Sequence, residues 1–331
     1  MRTKFLTKTT IIIFSFSIFI FCSKENKKAN ELMNKAKETI GVLPDKMPGA
    51  ENDTPKKIEL GKKLYFETKL SITDTQSCNS CHLVDNKKGG VDNTQFSPGA
   101  KGSLGGRNAP TVLNAGFHIA QFWDGRAPDL KEQAKGPILN PVEMAMPNEQ
   151  AVIDKISSLE DYQSLFKEAY PDSNNPITYD NLADAIAAFE RTLITKDRFD
   201  DFQKGDLNAL SEDELEGLSL FMNKLDCTQC HDGPLLGGNS YEKMGVEKPY
   251  KNTKDLGRFD VTKEEDDKYY FKVPSLRNIA ITFPYFHDGG AMSLEDAVKT
   301  MADIQLNVNL TKEQIDKIVK FLKTLTDKER L

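Results

Sequence analysis

The sequence has little histidine, cysteine or tryptophan: its 331 residues include four, five and one of these, respectively. It also lacks a basic excess, since its formal net charge is −6 at pH 7, and this acidic balance argues against nucleic acid as a partner. Its N-terminal apolar run, 9–21, is too short to cross a bilayer as a helix. With so few histidines and cysteines, their positions in the chain become the main clue to function.

Most of these rare residues fall into two copies of the pattern Cys-x-x-Cys-His. The members are Cys78, Cys81, His82, Cys227, Cys230 and His231. Two cysteines three residues apart share one face of a helical turn and can bond to the two vinyl groups of a porphyrin, while the next imidazole can bind iron. Redox dithiols, zinc sites and disulfides also use Cys-x-x-Cys, but a histidine directly after both pairs is improbable there. The sequence therefore predicts two covalently attached c-type haems.

The N-terminus is typical of an export signal. Three basic residues precede the apolar run 9–21, which has the length of a signal-peptide core. Cys22 then stands alone before a charged segment and resembles the acylated cysteine of bacterial lipoproteins, although Phe21 occupies a position where a small residue is usual. We expect residues 1–22 to be a lipoprotein-type signal with a lipid anchor at Cys22, the alternative being a signal without lipid. A periplasmic location suits the haems, because bacteria attach c-type haem outside the cytoplasm.

Apolar periodicity predicts a mainly α protein with long loops. The expected helices cover 25–40, 54–70, 149–170, 179–195, 214–225, 293–301 and 311–325. Ser211 with Glu214, and Thr311 with Gln314, form candidate capping boxes at the starts of two of them. The segment 233–273 shows little regular pattern, and few strands are expected.

Two haem motifs in a chain of this length predict two domains. The helices that lead into the motifs share a weak repeat in spacing. Its members are Gly61, Leu64 and Tyr65 before the first motif, and Gly217, Leu220 and Phe221 before the second. We predict two cytochrome-c-like domains, 44–198 and 199–331, each with one covalently bound haem and joined at an interface, after a tether over 23–43.

Four segments that flank the haem motifs resemble a known family. They are RNAPTVLNA (107–115), QFWDGRAPDLKEQAKGPILNPVEM (121–144), GPLLGGNSYEKMGV (233–246) and VPSLRNIAITFPYFHDGGAMSLEDAVKTM (273–301). They are similar to the bacterial dihaem cytochrome c peroxidases, which are related to MauG, and the similarity extends from about Pro44 to Leu325. The resemblance implies an enzyme that reduces hydrogen peroxide to water with electrons from a small cytochrome c or cupredoxin. It also implies a homodimer.

The resemblance implies different roles for the two haems. His82 would be the proximal ligand of the peroxidatic haem, and His231 that of an electron-transfer haem of higher potential. Met301 matches the family's sixth ligand of the second haem, since a thioether stabilises ferrous iron. Met301 also belongs to an apolar helical stripe that starts at Leu294, so a position in the core is the alternative, and Met292 is the second candidate ligand.

Three further residues match catalytic positions of the family. Glu143 would carry a proton between the two oxygens of peroxide, and Gln133 would hydrogen-bond the bound peroxide. Trp123, the only tryptophan, would lie between the haems and relay electrons. From the residues alone, Glu143 and Gln133 would be surface side chains and Trp123 a core residue.

The resemblance also implies a calcium ion where the two domains meet. Its ligands would be Asn108 and the backbone carbonyl oxygens of Thr282 and Pro284, because a hard cation prefers oxygen ligands. From composition alone, these positions belong to loops without an assigned role.

One position departs from the family. Many relatives carry a histidine in the loop after the first motif that closes the peroxidatic iron, and Ala100 stands at that position here. We therefore expect an open peroxidatic haem in the oxidised protein, with His118 or His287 as the alternative ligand. Two other functions stay open: a MauG-like oxidase acting on a protein, which Met301 disfavours because those enzymes use tyrosine there, and a non-enzymatic dihaem electron carrier.

Overall fold

The structure, a computed structural model, describes residues 27–85 and 87–330. It is mainly helical, as the sequence predicts. The predicted export signal and Cys22 lie outside the described residues. Among the helices of the described ranges, none is long and apolar enough to cross a membrane.

The helices are numbered in chain order. They are α1 (27–39), α2 (Pro55–Tyr65), α3 (Cys78–Cys81), α4 (Leu130–Leu139), α5 (Glu149–Ser157), α6 (Glu160–Ala169), α7 (Tyr179–Glu190), α8 (Arg198–Gln203), α9 (Glu212–Ser219), α10 (Phe259–Thr262), α11 (Leu294–Leu306) and α12 (Lys312–Lys323). Two short strands, β1 (Tyr241–Lys243) and β2 (Tyr270–Lys272), form an antiparallel pair in which Tyr241 lies opposite Lys272. This pair lies in the segment 233–273, where the sequence shows little regular pattern.

Several helices differ from their predicted bounds. The predicted helix 149–170 is divided into α5 and α6, because Leu159 between them has an extended backbone with φ −93° and ψ 116°. α7 ends at Glu190, before the predicted end at 195. The helix that precedes the second motif changes from α to π geometry over Leu220–Lys224. Both predicted capping boxes are present.

Two hydrophobic cores organise the described residues. The first lies among α2, α4, α5, α6 and α7, and the second among α1, α8, α9, α11 and α12. Cys78 of the first motif packs against the first core, and Cys227 of the second motif packs against the second. Each haem motif therefore has a hydrophobic core of its own.

The repeated glycines mark two equivalent helix crossings. A Cβ atom on Gly61 in α2 would lie 1.7 Å from the carbonyl oxygen of Ala185 in α7. A Cβ atom on Gly217 in α9 would lie 2.0 Å from the carbonyl oxygen of Lys317 in α12. Only a residue without a side chain allows such close approach of two helices. The weak repeat in the sequence thus corresponds to a repeated helix contact.

The helix predicted over 25–40 is present in the described part of the segment 23–43, which is also the expected tether. Residues 27–39 form α1, and Leu32, Met33, Ala36 and Ile40 are buried in the second core. The apolar residues of α1 recur every three or four positions, which is the spacing that buries one face of a helix. This segment is therefore a packed helix of the second core, not a spacer.

We expect Gly61→Ala to destabilise the protein. The added methyl group would meet the Ala185 carbonyl oxygen, so α2 and α7 would have to separate, and overpacking of this kind costs about 1–3 kcal/mol. The better helix propensity of alanine offsets only about 1 kcal/mol of this cost. Thermal unfolding of the haem-loaded protein should therefore give a lower Tm than for the wild type. Gly106→Ala is the matched control, because a Cβ atom there has no neighbour within 4 Å; equal Tm values for the two variants would contradict the contact.

Candidate active site

The imidazole of His82 in the first motif is oriented by a backbone carbonyl. His82 follows α3 directly, and its Nδ1 lies 3.0 Å from the carbonyl oxygen of Pro110. Since a carbonyl oxygen only accepts, Nδ1 carries the proton and the Nε2 lone pair is available for iron. Burial lowers the pKa of His82 and so favours the neutral imidazole.

His231 of the second motif is oriented in the same way. Its Nδ1 lies 3.0 Å from the carbonyl oxygen of Leu236, and burial lowers its pKa. The loop that supplies this carbonyl packs closely against the segment around Pro274. A Cβ atom on Gly237, whose φ is +129°, would lie 2.3 Å from the carbonyl oxygen of Pro274. Both motifs thus present an imidazole in the tautomer whose Nε2 can bind a metal, and the hydrogen bond at Nδ1 holds the ring in place.

The four motif cysteines suit haem attachment better than redox chemistry of their own. They form no disulfide in the described ranges. Burial raises the pKa of all four thiols, to about 11 in Cys81 and about 12 in Cys227. A redox-active pair needs a thiol of lowered pKa. The donor set at both motifs, two thiols and one neutral imidazole, therefore fits a covalently bound haem.

Glu143 lies just after α4 and contacts a hairpin that follows the first motif. In this hairpin Pro98 pairs with Leu104. Asn140 Nδ2 donates to its Oε1 at 2.7 Å. The Ala100 N–H in the hairpin donates to the Glu143 backbone oxygen at 2.7 Å. The contact is tight, because a Cβ atom on Gly99 would lie 2.0 Å from the carbonyl oxygen of Val142. The hairpin therefore fixes the backbone that carries the Glu143 carboxyl group.

Burial and two polar neighbours set the pKa of Glu143. Burial raises the pKa of this carboxyl group, while the Arg126 guanidinium and the hydrogen bond from Asn140 lower it, and the net shift is upward. The charge of Glu143 in turn raises the pKa of the Cys81 thiol. The carboxyl group is therefore within electrostatic range of the first motif. A carboxyl group with a raised pKa is suited to take up and release protons nearer neutral pH.

Gln133 lies on α4, and Trp123 and Glu143 lie in the segments before and after this helix. Gln133 is half-buried on α4. Trp123 lies in the loop before α4, and its indole Nε1 donates to the Asn108 carbonyl oxygen at 2.8 Å. α4 packs on this loop, since a Cβ atom on Gly136 would lie 3.5 Å from the Phe122 ring. The three predicted catalytic residues are thus carried by α4 and the segments at its two ends.

A second internal repeat places Trp123 opposite His287. Residues 109–130 and 273–294 align without a gap, so that Trp123 corresponds to His287 and Asn114 to Asn278. The two segments have the same shape, because both asparagines have φ of 62° and the same isolated β-bridge closes both loops. The clearest sign of this repeat in the sequence is the pair FWDG (122–125) and FHDG (286–289).

Two backbone hydrogen bonds join the two repeated loops to each other. The Lys272 N–H donates to the Trp123 carbonyl oxygen at 2.8 Å, and the Asn108 N–H donates to the His287 carbonyl oxygen at 2.7 Å. The ring centroids of Trp123 and His287 are 6.4 Å apart at an interplanar angle of 73°. His287 also stacks on Phe271 at 4.1 Å. A contiguous group of aromatic rings thus lies where the two halves meet.

Met301 is better placed than Met292 to contact a cofactor. Leu294 and Ala297 of the predicted stripe are buried in the second core, and Val298 packs against it. Met301 lies one turn further along α11, is half-buried, and stands outside that cluster of described residues. Met292 is 65% exposed. Met301 therefore lies half-buried on the helix of the predicted ligand, whereas Met292 is largely exposed.

The predicted calcium ligands lie on neighbouring segments. Asn108 is buried, and its amide nitrogen donates to the Thr94 carbonyl oxygen at 2.9 Å. The adjacent Asn93 donates to two carbonyl oxygens in the segment 281–284, at 3.1 and 2.7 Å. Through residues 93–94, Asn108 is thus tied to the segment that contains Thr282 and Pro284.

Both histidines outside the motifs are engaged elsewhere. The His118 ring lies against Gly238 in the loop after the second motif, and its Nδ1 lies 2.8 Å from Lys272 Nζ. His287 lies in the aromatic group beside Trp123. These contacts give no support to either histidine as a substitute ligand at the position of Ala100.

Comparisons with known proteins agree with this geometry. A family model described as di-haem cytochrome c peroxidase matches residues 55–208. The chain is 48% identical over 321 residues to the cytochrome c551 peroxidase of Nitrosomonas europaea, covering 96% of this chain and 91% of the relative. It is 42% identical over 309 residues to the cytochrome c551 peroxidase of Pseudomonas aeruginosa, covering 91% and 88%. The chain belongs to the dihaem cytochrome c peroxidase family.

The fold agrees with the same family. The crystal structure of a MauG-like protein associated with microbial copper homeostasis superposes with a TM-score of 0.79 at 27% identity, covering 87% of this chain and 95% of that chain. The predictions of a dihaem cytochrome c peroxidase family and of an enzyme of this type are therefore confirmed. Membership of a dihaem family also implies two c-type haems, in agreement with the two motifs.

Several residues that contact the predicted site residues have no recognisable local pattern in the sequence. Arg126 and Asn140 oppose the burial that raises the pKa of Glu143, yet each is an isolated polar residue in the sequence. His287 and Lys272 meet Trp123 through contacts between segments far apart in the chain. The repeat of 109–130 in 273–294 could have identified His287, whereas the other three depend on tertiary contacts.

Proposed function

We propose that this peroxidase reduces hydrogen peroxide beside the first motif, H2O2 + 2 e⁻ + 2 H⁺ → 2 H2O, with electrons that enter at the second motif. The position of Glu143 carries this proposal, because a carboxyl group of raised pKa lies in electrostatic range of Cys81. A haem held by Cys78, Cys81 and His82 would supply the iron at which the oxygen–oxygen bond breaks. The two relatives named cytochrome c551 peroxidase support the same reaction.

Glu143 is the proton carrier in this proposal. Its carboxylate takes a proton from one oxygen of peroxide and returns it to the other, which leaves as water. Asn140 holds Oε1 in place through its hydrogen bond, so Oε2 is the oxygen left to exchange the proton. Gln133, on the preceding helix, is proposed to donate a hydrogen bond to the bound peroxide.

Trp123 is proposed to relay electrons between the halves. Its indole is fixed by the hydrogen bond to Asn108 and meets His287 across the contact of the two repeated loops. We propose that the two cores are two cytochrome-c-like domains, 44–198 and 199–331, with α1 added to the second. Each would carry one haem, and the aromatic group would lie on the route between them.

The protein partners follow from the family resemblance and the charge. We propose a small cytochrome c or cupredoxin as the electron donor, and the net charge of −6 is compatible with a basic one. A homodimer in the periplasm, held at the membrane by a lipid on Cys22, completes the proposal. Mass spectrometry of the mature N-terminus would test the lipid, and sedimentation would test the dimer.

Glu143→Gln should lower peroxide turnover by about 10²–10⁴-fold, the usual contribution of general acid/base catalysis, while both haems stay attached. The assay is the peroxide-dependent oxidation of reduced cytochrome c, which also separates a peroxidase from a passive electron carrier. In the wild type, the rate should fall as the pH drops through the raised pKa of Glu143, because only the carboxylate takes a proton. Glu132→Gln, at an exposed position of α4, is the control. Near-normal turnover of Glu143→Gln would refute the role.

Met301→Leu should lower the midpoint potential of the second haem and remove its methionine-type absorption features, because leucine cannot bind iron. Redox titration followed by absorption spectroscopy measures both. Met292→Leu is the matched control, since Met292 is 65% exposed and the same substitution there should change neither property. Wild-type spectra in Met301→Leu would exclude it as the ligand.

The fully oxidised protein should already hold a high-spin first haem and bind peroxide without prior reduction, because Ala100 cannot bind iron. Electron paramagnetic resonance of the oxidised protein, before and after peroxide, measures this. Two low-spin haems that react with peroxide only after one-electron reduction would contradict the expectation. His118→Ala and His287→Ala would then identify the hidden ligand.

A calcium ion on Asn108, Thr282 and Pro284 is proposed to hold the two halves in register. These ligands are an amide oxygen and two backbone carbonyl oxygens, which suit a hard cation. Removing calcium with a chelator should slow electron transfer between the haems while haem content stays unchanged, and added calcium should restore the rate. A chelated enzyme with an unchanged transfer rate would exclude the ion from the mechanism.

A further inference from the structure

Two basic side chains form a buried pair beside the loop of the second haem motif. Lys272 Nζ, at the end of β2, lies 2.8 Å from Nδ1 of His118. Lys272 is only 5% exposed. His118 Nε2 is buried without a hydrogen-bond partner among the described residues. Neither group has a role in the peroxidase mechanism proposed above.

Apart from the hydrogen bond between them, Lys272 and His118 offer only hydrogen-bond donors. A lysine ammonium donates and never accepts, so His118 Nδ1 must be the acceptor of their hydrogen bond. In a neutral imidazole the proton then lies on Nε2. Lys272 keeps two further N–H groups, and His118 keeps the Nε2–H. The pair therefore offers buried donors, and the Nε2–H of His118 has no acceptor among the described residues.

The acceptor should carry a negative charge. Burial lowers the pKa of Lys272 to about 8, and no acidic side chain opposes this shift. At pH 7 the amine is still mostly protonated, since its pKa lies above that pH. The salt bridges of the described residues include none to Lys272. A buried cation without a counter-charge is costly, so an anion that is not part of the polypeptide is expected beside it.

The pair lies next to the second motif. A Cβ atom on Gly238 would be 2.8 Å from His118 Cδ2, the ring atom bonded to Nε2. Gly238 comes two residues after Leu236, whose carbonyl oxygen orients His231. Lys272 also binds the loop of Trp123 through its backbone N–H. The donors therefore lie between the second motif and the contact of the two halves.

We propose that Lys272 and His118 bind a propionate carboxylate of the second haem. A haem bound through its vinyl groups keeps two free carboxylates, which are anions at neutral pH. This inference rests on the proposed attachment of a haem at Cys227, Cys230 and His231. The pair would neutralise one propionate and so raise the potential of that haem, because an uncompensated negative charge favours ferric over ferrous iron. The corresponding position in the first repeat is Asn108, so the first haem would lack this cation.

Lys272→Met should lower the midpoint potential of the second haem, measured by redox titration without peroxide. We expect an about tenfold higher ratio of ferric to ferrous haem at a fixed potential, which is 59 mV for a one-electron couple. Lys272→Arg keeps the charge and should stay near the wild-type potential. Lys254→Met, which removes an exposed lysine, is the matched control and should change neither haem. An unchanged potential in Lys272→Met would overturn the proposal.

Resonance Raman spectroscopy of the wild type tests the same contact without a variant. The propionate bending mode of the second haem should shift when exchangeable hydrogens are replaced by deuterium, because the carboxylate accepts N–H bonds. Absence of that shift would overturn the proposal even if Lys272→Met fails to fold. A wild-type potential that varies with phosphate concentration would assign the pair to a free anion and would also overturn it. Haem content near two per chain, measured beforehand, keeps these outcomes separate from a failure of the proposed function.

Discussion

The hydroxyl group of Thr195 joins the two halves of this peroxidase. It accepts hydrogen bonds from the side-chain amides of Asn114 at 2.8 Å and Asn278 at 3.3 Å, and all three residues are buried. The backbone N–H of Asn114 donates to the carbonyl oxygen of Leu193, which follows α7. The backbone N–H of Asn278 donates in the same way to Leu325, which follows α12. A shift of one half against the other would break these hydrogen bonds and leave buried polar groups without partners. Each such group would cost its full desolvation free energy, so the network fixes the relative position of the two halves.

A buried ion cluster reinforces the same junction. Arg277, which follows β2 in the second repeated loop, is 1% exposed and donates to Asp197 at 2.6 Å and to Asp200 at 2.9 Å at the start of α8. Burial raises the pKa of Asp197, while the positive charge of Arg277 opposes that shift. Such a cluster contributes little net stability, but removing one partner leaves a buried charge uncompensated. Its effect is therefore to specify how α8 meets the repeated loop.

The two repeated loops have nearly the same shape but are preceded by different side chains. The same loop shape places Trp123 and His287 at corresponding positions, so that their rings meet. The residues that precede the loops differ, with Asn108 in the first half and Lys272 in the second. One loop shape is thus preceded by a buried amide side chain in the first half and by a buried lysine in the second. Division of labour between two haems needs such differences, because identical surroundings would give equal potentials.

Much of this protein could be predicted from local sequence patterns. The two Cys-x-x-Cys-His motifs, the helical periodicity and the capping boxes each depend on residues within a few positions, and the structure contains them. The family match came from long contiguous segments, for the same reason. The apolar spacing of α1 was also present, but a polar composition gave no indication that a core covers this helix.

What the sequence by itself determined is the pair of haem motifs, the mainly helical class and the family, since short-range geometry and contiguous similarity specify them. Only the tertiary structure decided that the segment expected as a tether is a packed helix, that burial raises the pKa of Glu143 against the opposing effects of Arg126 and Asn140, and that Lys272 meets His118. These contacts join residues whose separation in the chain bears no fixed relation to their distance in space. Burial and pKa depend on that distance, because the cost of desolvating a charge is set by all the atoms around it.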